Sequence, residues 1–217
     1  SSKQKTETGN QQPATGMQGG AVMTDREKTV SLKDAVDQIQ AAVKRIAMIH
    51  LGFSKTLIKE LGNEKGKKLI IQSMMEYGKL VGEHNKKGHQ DLPFFGLHDR
   101  YSYDGQEFTD TRKSPVPRDK DFDHSKYRVY GCGLAKMFKE LGEEELGRLY
   151  CYVDSAKSMA ANPDRKLIHT ACELCEDGYC SFDVIPTTDK EKEDFDNNAE
   201  DWKEVDPILA KADRGGK

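Results

Sequence analysis

No part of this 217-residue chain contains the roughly 18 successive apolar residues that a membrane-crossing helix needs, so no integral membrane segment is expected. Charge of one sign is lacking too. The formal net charge is −3 and basic residues are mixed with acidic ones, which removes any general attraction to nucleic acid or to an anionic membrane surface. No phosphate-binding glycine loop, nucleophile elbow, dinucleotide fingerprint or EF-hand loop is present, so the common nucleotide- and calcium-dependent chemistries have no foothold. Cysteine is missing before residue 132, and the five that exist run from Cys132 to Cys180. An odd count leaves at least one free thiol in a monomer with internal bridges. That suits a reducing, cytoplasmic setting and is equally compatible with export after processing.

With 35% apolar and 33% charged residues, the chain predicts a moderate core under a heavily hydrated surface. Residues 1–29, rich in Ser, Thr, Gln, Gly and Asn, read as a disordered leader or linker. Residues 30–188 read as a single α+β domain, and 189–217 as an acidic tail, with nine acidic against three basic residues from Asp189 to Asp206. Trp202, Val205, Ile208 and Leu209 offer a way for that tail to dock a short helical turn.

Within the domain, Ser31 caps a helix on which Leu32, Val36, Ile39, Val43, Ile46, His50, Phe53 and Leu57 recur at three- and four-residue steps, with a break expected near Gly52. A second helix carries Leu69, Ile70, Met74, Tyr77, Leu80 and Val81. His50 and His84 fall in these two registers and could line one polar pocket. Gln90–Asp121, with several prolines and aromatics, reads as loop around a short Tyr101–Phe108 hairpin turning at Asp104–Gly105. Helices follow over Leu134–Leu141 and Glu144–Ala160, the second stopped by Asn162–Pro163. Leu167–Ile185 then changes to a strand period around Asp177–Gly178. The predicted fold is helices packed on a small antiparallel sheet, with a C-terminal β-hairpin.

A two-residue turn at Asp177–Gly178 would set Cys175 opposite Cys180 and Glu173 opposite Phe182. Strand alternation would then place His169, Ala171, Glu173 and Cys175 on the face of Cys180 and Phe182, with Cys172 on the other face. Such a cluster suits three chemistries: buried packing, redox or metal chemistry, and nucleophilic catalysis. Cys151, Cys175, Cys180 and His169 are the candidate ligands for a divalent metal such as zinc, although the second Cys-x-x-Cys of a zinc knuckle is absent. A Cys175–Cys180 disulfide is a further alternative, with poor geometry for opposed strand positions. Cys151 and Asp154 lie three apart on one side of the fourth helix. Cys132, between two glycines at a helix start, sits where a thiolate is favoured.

From Gly131 to Phe182 the chain resembles the L-2-amino-thiazoline-4-carboxylic acid hydrolase family. The matching residues are Cys132-x-Leu134-Ala135 leading to Lys139–Gly142, then Cys151-x-x-Asp154, Asn162–Pro163, and Gly178-x-Cys180-x-Phe182. The resemblance implies a small α+β domain and hydrolytic opening of a thiazoline ring, that is, a hydrolase acting on a small C–N or C–S compound with cysteine and aspartate in the site. Cys132 is the first candidate nucleophile, with Cys151 or Cys180 as substitutes. Asp154 would orient or accept a proton, His169 would serve as base, and backbone amides at Gly131–Gly133 would act as donors to developing charge. The expected partner is a small-molecule substrate, and a homo-oligomer is compatible with the composition. The alternative is a non-catalytic small-molecule, metal-binding or redox-sensing domain.

Overall fold

The computed structural model describes residues 30–87 and 128–214, together with the backbone of two short strands at 101–104 and 107–110. The aromatic loop expected over Gln90–Asp121 otherwise lies outside the described residues, as does the leader.

Helix α1 (Leu32–Leu61) begins where Ser31 Oγ accepts the Asp34 amide at 3.1 Å. It runs for 30 residues without the break expected at Gly52, where the backbone is helical and nothing lies within 4 Å of a Cβ position. One exposed glycine costs such a long helix about 1 kcal/mol in propensity, too little to end it once its other side is packed. Gly62, at φ 79°, turns the chain straight into α2 (Asn63–Lys86). That left-handed backbone conformation favours glycine.

The buried face of α1 consists of Val36, Val43, Ala47, His50, Leu51 and Ser54. Ile46 and Phe53, which the expected stripe contains, are exposed, Phe53 by 71%. The stripe is rotated because small residues make the closest contacts in this helical layer. On α2, Gly78 and Gly82 lie directly against Ala156 and Ala160 of helix α5 (Tyr152–Ala161). Leu80 points outward instead. His50 is accounted for locally. Its Nε2 meets the Leu146 carbonyl at 2.8 Å, its ring lies edge-on to Phe138 and Tyr150, and burial holds its pKa below the usual value.

Strands β1 (Tyr101–Asp104) and β2 (Glu107–Asp110) pair antiparallel as the expected hairpin, but with Asp104 opposite Glu107, so Asp104 is a paired strand residue and the turn lies one residue later than Asp104–Gly105. The second sheet has the order β3–β5–β4, from β3 (Arg128–Val129), β4 (Arg165–Ala171) and β5 (Cys180–Pro186). Helix α3 (Gly133–Glu140) follows β3, and α4 (Glu144–Arg148) leads to α5 through a tighter 3₁₀ turn at Leu149–Cys151. The architecture is therefore helices packed on a small antiparallel sheet, with the hairpin near the C-terminal end.

Two expectations are corrected here. His169 pairs with Phe182 and Ala171 with Ser181 across a bulge, so the β4–β5 connection is not a two-residue turn. Glu173–Cys175 forms a 3₁₀ turn, and the Cys172 carbonyl accepts the amides of Cys175 (2.8 Å) and Asp177 (3.3 Å). Cys175 is thus not a strand residue opposite Cys180. The acidic segment after Asp189 is also not loosely held as far as Arg214. A capping box at Thr188 and Glu191 starts α6 (Asp189–Asp196), and Asp206 caps α7 (Pro207–Asp213). Phe195, Trp202, Val205 and Leu209 are buried in the main core. Their apolar area outweighs the charge on the opposite face.

The helix contact makes a direct prediction. Gly78→Ala would bring a Cβ onto that of Ala156 and within 2.8 Å of its carbonyl carbon, so it should destabilise the fold by about 1–3 kcal/mol. Gly52→Ala should stabilise it by about 0.5–1 kcal/mol. Urea unfolding of both variants checks the pair, and equal effects would refute the close packing.

Candidate functional site

Strand β4 carries His169 into the interior, where its side chain is 2% exposed. Asp206, fully buried, reaches it from the turn before α7. One carboxylate oxygen accepts both the His169 backbone amide (2.9 Å) and ring Nδ1 (2.8 Å), while the other accepts the Leu209 amide at 3.2 Å. Burial alone would lower the pKa of the imidazole. The charge and hydrogen bond of Asp206, with smaller contributions from Cys151 and Asp154, reverse that and raise it to about 10. His169 therefore carries its proton at neutral pH. Its ring packs on Phe182 at 4.8 Å between centroids.

With Nδ1 taken, Nε2 faces the helical side. Asp154 Oδ2 lies 3.9 Å from it, and Asp154 also pairs with Lys157 at 3.2 Å. Cys151 enters from the 3₁₀ turn and Cys172 from the end of β4. The ligand atoms of Cys151, His169 and Cys172 all lie within 4.8 Å of one another. Two thiols and an imidazole at this separation could hold a metal ion, and a carboxylate behind the imidazole is a common second partner in such sites.

Cys172 is the centre of the thiol group. Its sulfur lies within 4.8 Å of that of Cys151 and influences the protonation of Cys175 and Cys180. Hydrogen bonds to these three thiols, then burial, push its own pKa up, so Cys172 keeps its proton and offers it to its neighbours. That donated bond is the main reason Cys175 and Cys180 are lowered against the opposing effect of burial. Arg148 and His169 add to the effect at Cys175, and His169 and the Glu173 amide, 3.3 Å from Sγ, add to it at Cys180. The expected separation of Cys172 from Cys175 and Cys180 is thus overturned. The 3₁₀ turn folds the chain back so that Cys172 interacts with Cys175 on one side and Cys180 on the other. None of the five cysteines is joined in a disulfide.

Cys132 occupies the N-cap position of α3 and packs against the cluster of Val129, Leu167, Cys180 and Phe182, outside the Cys151–His169–Cys172 group. Its amide donates to Glu173 Oε2 at 3.1 Å, so this one of the expected Gly131–Gly133 donors is already engaged. Cys175 is half-buried and borders a cleft of about 860 Å³, which Arg148, Thr170, Glu173, Asp177 and Lys211 also line.

A family model described as L-2-amino-thiazoline-4-carboxylic acid hydrolase matches residues 41–184. The chain belongs to this family. No curated protein and no solved structure matches it. The thiazoline-carboxylate hydrolase match takes in Cys132, Cys151, Asp154, His169, Cys172, Cys175 and Cys180. It ends before Asp206, which makes the shortest contact to the His169 ring in the group. Asp206 escapes a reading of the sequence because it is one of nine acids in a charged run. Its one local signal is the Asp–Pro step of a helix cap, which points to a structural role.

His169 holds its proton to about 10 in the fold and only to about 6.5 when unfolded. The stability it contributes is complete below 6.5 and is lost as pH rises through 10. Urea midpoints measured between pH 6 and 10 should fall more steeply for the native protein than for Asp206→Asn, and parallel curves would contradict the pairing.

Proposed function

We propose that the protein is a hydrolase that opens a small cyclic C–N/C–S compound of the 2-amino-thiazoline-carboxylate type, with Cys151 as the attacking thiol and His169 as the proton donor. The observation that carries this reading is the line from buried Asp206 through buried His169 to half-buried Cys151, the last two within the matched family region. A carboxylate on one imidazole nitrogen with a thiol near the other is the arrangement by which many hydrolytic sites activate a nucleophile.

The target is the amidine-like ring carbon. Attack by sulfur there passes the Cys151 proton to the ring nitrogen, and the ring bond breaks as its leaving nitrogen or sulfur takes a second proton, from His169, which the attacking water later restores. His169 suits the acid role better than that of base, because Asp206 keeps it protonated through neutral pH. Water then releases Cys151. Asp154, 3.9 Å from Nε2, is placed to hold the imidazolium as its proton moves or to position that water. Cys172 supports the site by hydrogen bonding to the Cys151 sulfur. This reading moves the nucleophile from Cys132, which lies outside the group, to Cys151.

A second reading has its own observation. The Cys151, His169 and Cys172 ligand atoms are close enough for a divalent ion such as zinc, which would bind through both sulfurs and Nε2 and activate a water molecule. A bound ion would also explain why a histidine and two thiols are gathered in the interior.

The two readings part experimentally. Cys151→Ser should cut thiazoline-carboxylate hydrolysis by about 100-fold or more, while Cys132→Ser keeps most of it. Activity should survive chelation, in protein holding far less than one ion per chain. Full activity in Cys151→Ser would sink the thiol mechanism. Stoichiometric metal that leaves together with activity would establish the second reading in its place.

A further inference from the structure

The Cys172-x-x-Cys175 pair is not needed as a pair by the proposed hydrolysis, yet its geometry is that of a dithiol ready to close. The Cys175 amide donates to the Cys172 carbonyl at 2.8 Å, which makes the two cysteines the ends of one tight turn. Such ends lie within about 7 Å between Cα atoms, and a disulfide asks for about 4.4–6.8 Å. The two thiols are close enough to influence each other's protonation. Asp177 holds the turn from both sides, accepting the Cys172 amide at 2.8 Å and donating its own amide to the Cys172 carbonyl. Glu176, at φ 73°, supplies the left-handed step that lets the chain double back.

Access sets the order of events. Cys172 is fully buried, whereas Cys175 is half-buried and borders the 860 Å³ cleft. Cys151 and Cys180 also approach Cys172, but neither borders that cleft. Arg148 and Lys211 give one side of the cleft positive charge beside Cys175.

We propose that Cys172 and Cys175 form a redox-active dithiol that exchanges with small-molecule disulfides entering this cleft. The Cys175 thiolate attacks one sulfur of the incoming disulfide, the S–S bond breaks, and one thiolate leaves. Cys172 then gives up its proton and attacks the Cys175 sulfur of the mixed disulfide, expelling the second thiolate. The protein dithiol has lost two electrons, the external disulfide has become two thiols, and the two protein protons end on them. Cys172 can no longer hydrogen-bond to Cys151 or Cys180 as a donor, so closure should also silence hydrolysis. That last consequence rests on the proposed function, whereas the dithiol itself does not.

The test uses the whole reduced chain, incubated with glutathione disulfide and mapped by mass spectrometry after alkylation of the remaining thiols. Two of the five thiols should disappear, with Cys172 joined to Cys175, and dithiothreitol should restore all five. Cys172→Ser should accumulate a glutathione adduct on Cys175. Should that buried substitution prevent folding, Cys175→Ser provides the independent check, since it should form no internal bridge. A bridge from Cys172 to Cys151 or Cys180, glutathione found first on another cysteine, or five persistent thiols would each overturn the proposal. None of these readouts depends on turnover, so a failed hydrolase assay and a failed dithiol are distinguishable.

Discussion

A carboxylate buried against an imidazole is the constraint on which the rest of this site depends. Asp206 has no exposure, and its oxygens are spent on the His169 ring, the His169 amide and the cap of α7. Each ion alone would be expensive to remove from water, by several kcal/mol, so each requires the other. Their pairing fixes which nitrogen of His169 faces the cysteines. It also fixes where α7 begins, and hence how the last segment of the chain lies on the sheet. Chemistry and folding share one interaction here.

Around this pair the helices supply rigidity through small residues. Gly78 and Gly82 on α2 admit Ala156 and Ala160 of α5, which lets two backbones approach closely. Helix α5 therefore sits firmly behind the 3₁₀ turn that carries Cys151, and its first turns carry Asp154. A side chain on a well-seated helix and another on a sheet strand keep their separation better than two side chains on loops would.

Much of the architecture is readable from residue order, because a period of 3.6 or of 2 is imposed by burial over many positions. The helices at Leu32–Leu61 and Asn63–Lys86 and the closing hairpin follow from that. Phase and register are less readable. Large apolar residues such as Phe53 and Leu80 dominate a periodicity count, but the tight contacts are made by Ala47, Gly78 and Gly82. The hairpin register depends on a 3₁₀ turn at Glu173–Cys175 that no alternation pattern encodes, and with it goes the placement of Cys172 relative to the other thiols. Cys151, Asp154, His169 and Cys180 stand out because their residue types and spacing are uncommon; in three dimensions Cys151 and Asp154 lie beside His169, whereas Cys180 is related to Cys172 and His169. Asp206 looks from the sequence like one more solvated acid.

Lys166, one residue into β4, is 4% exposed and meets Glu191 of α6 at 2.5 Å and the Val205 carbonyl at 2.8 Å. Lys67 of α2 likewise reaches Asp213 of α7 at 2.6 Å. With His169, three cations rooted inside the matched span find their counter-charges beyond residue 184. Cutting the chain at the edge of recognisable ancestry would strip buried Lys166 of its carboxylate, and would leave Lys67 with Glu145 alone and His169 with the more distant Asp154 alone. The smallest piece able to fold is therefore larger than the piece that carries the family signature, and its outer limit is drawn by electroneutrality.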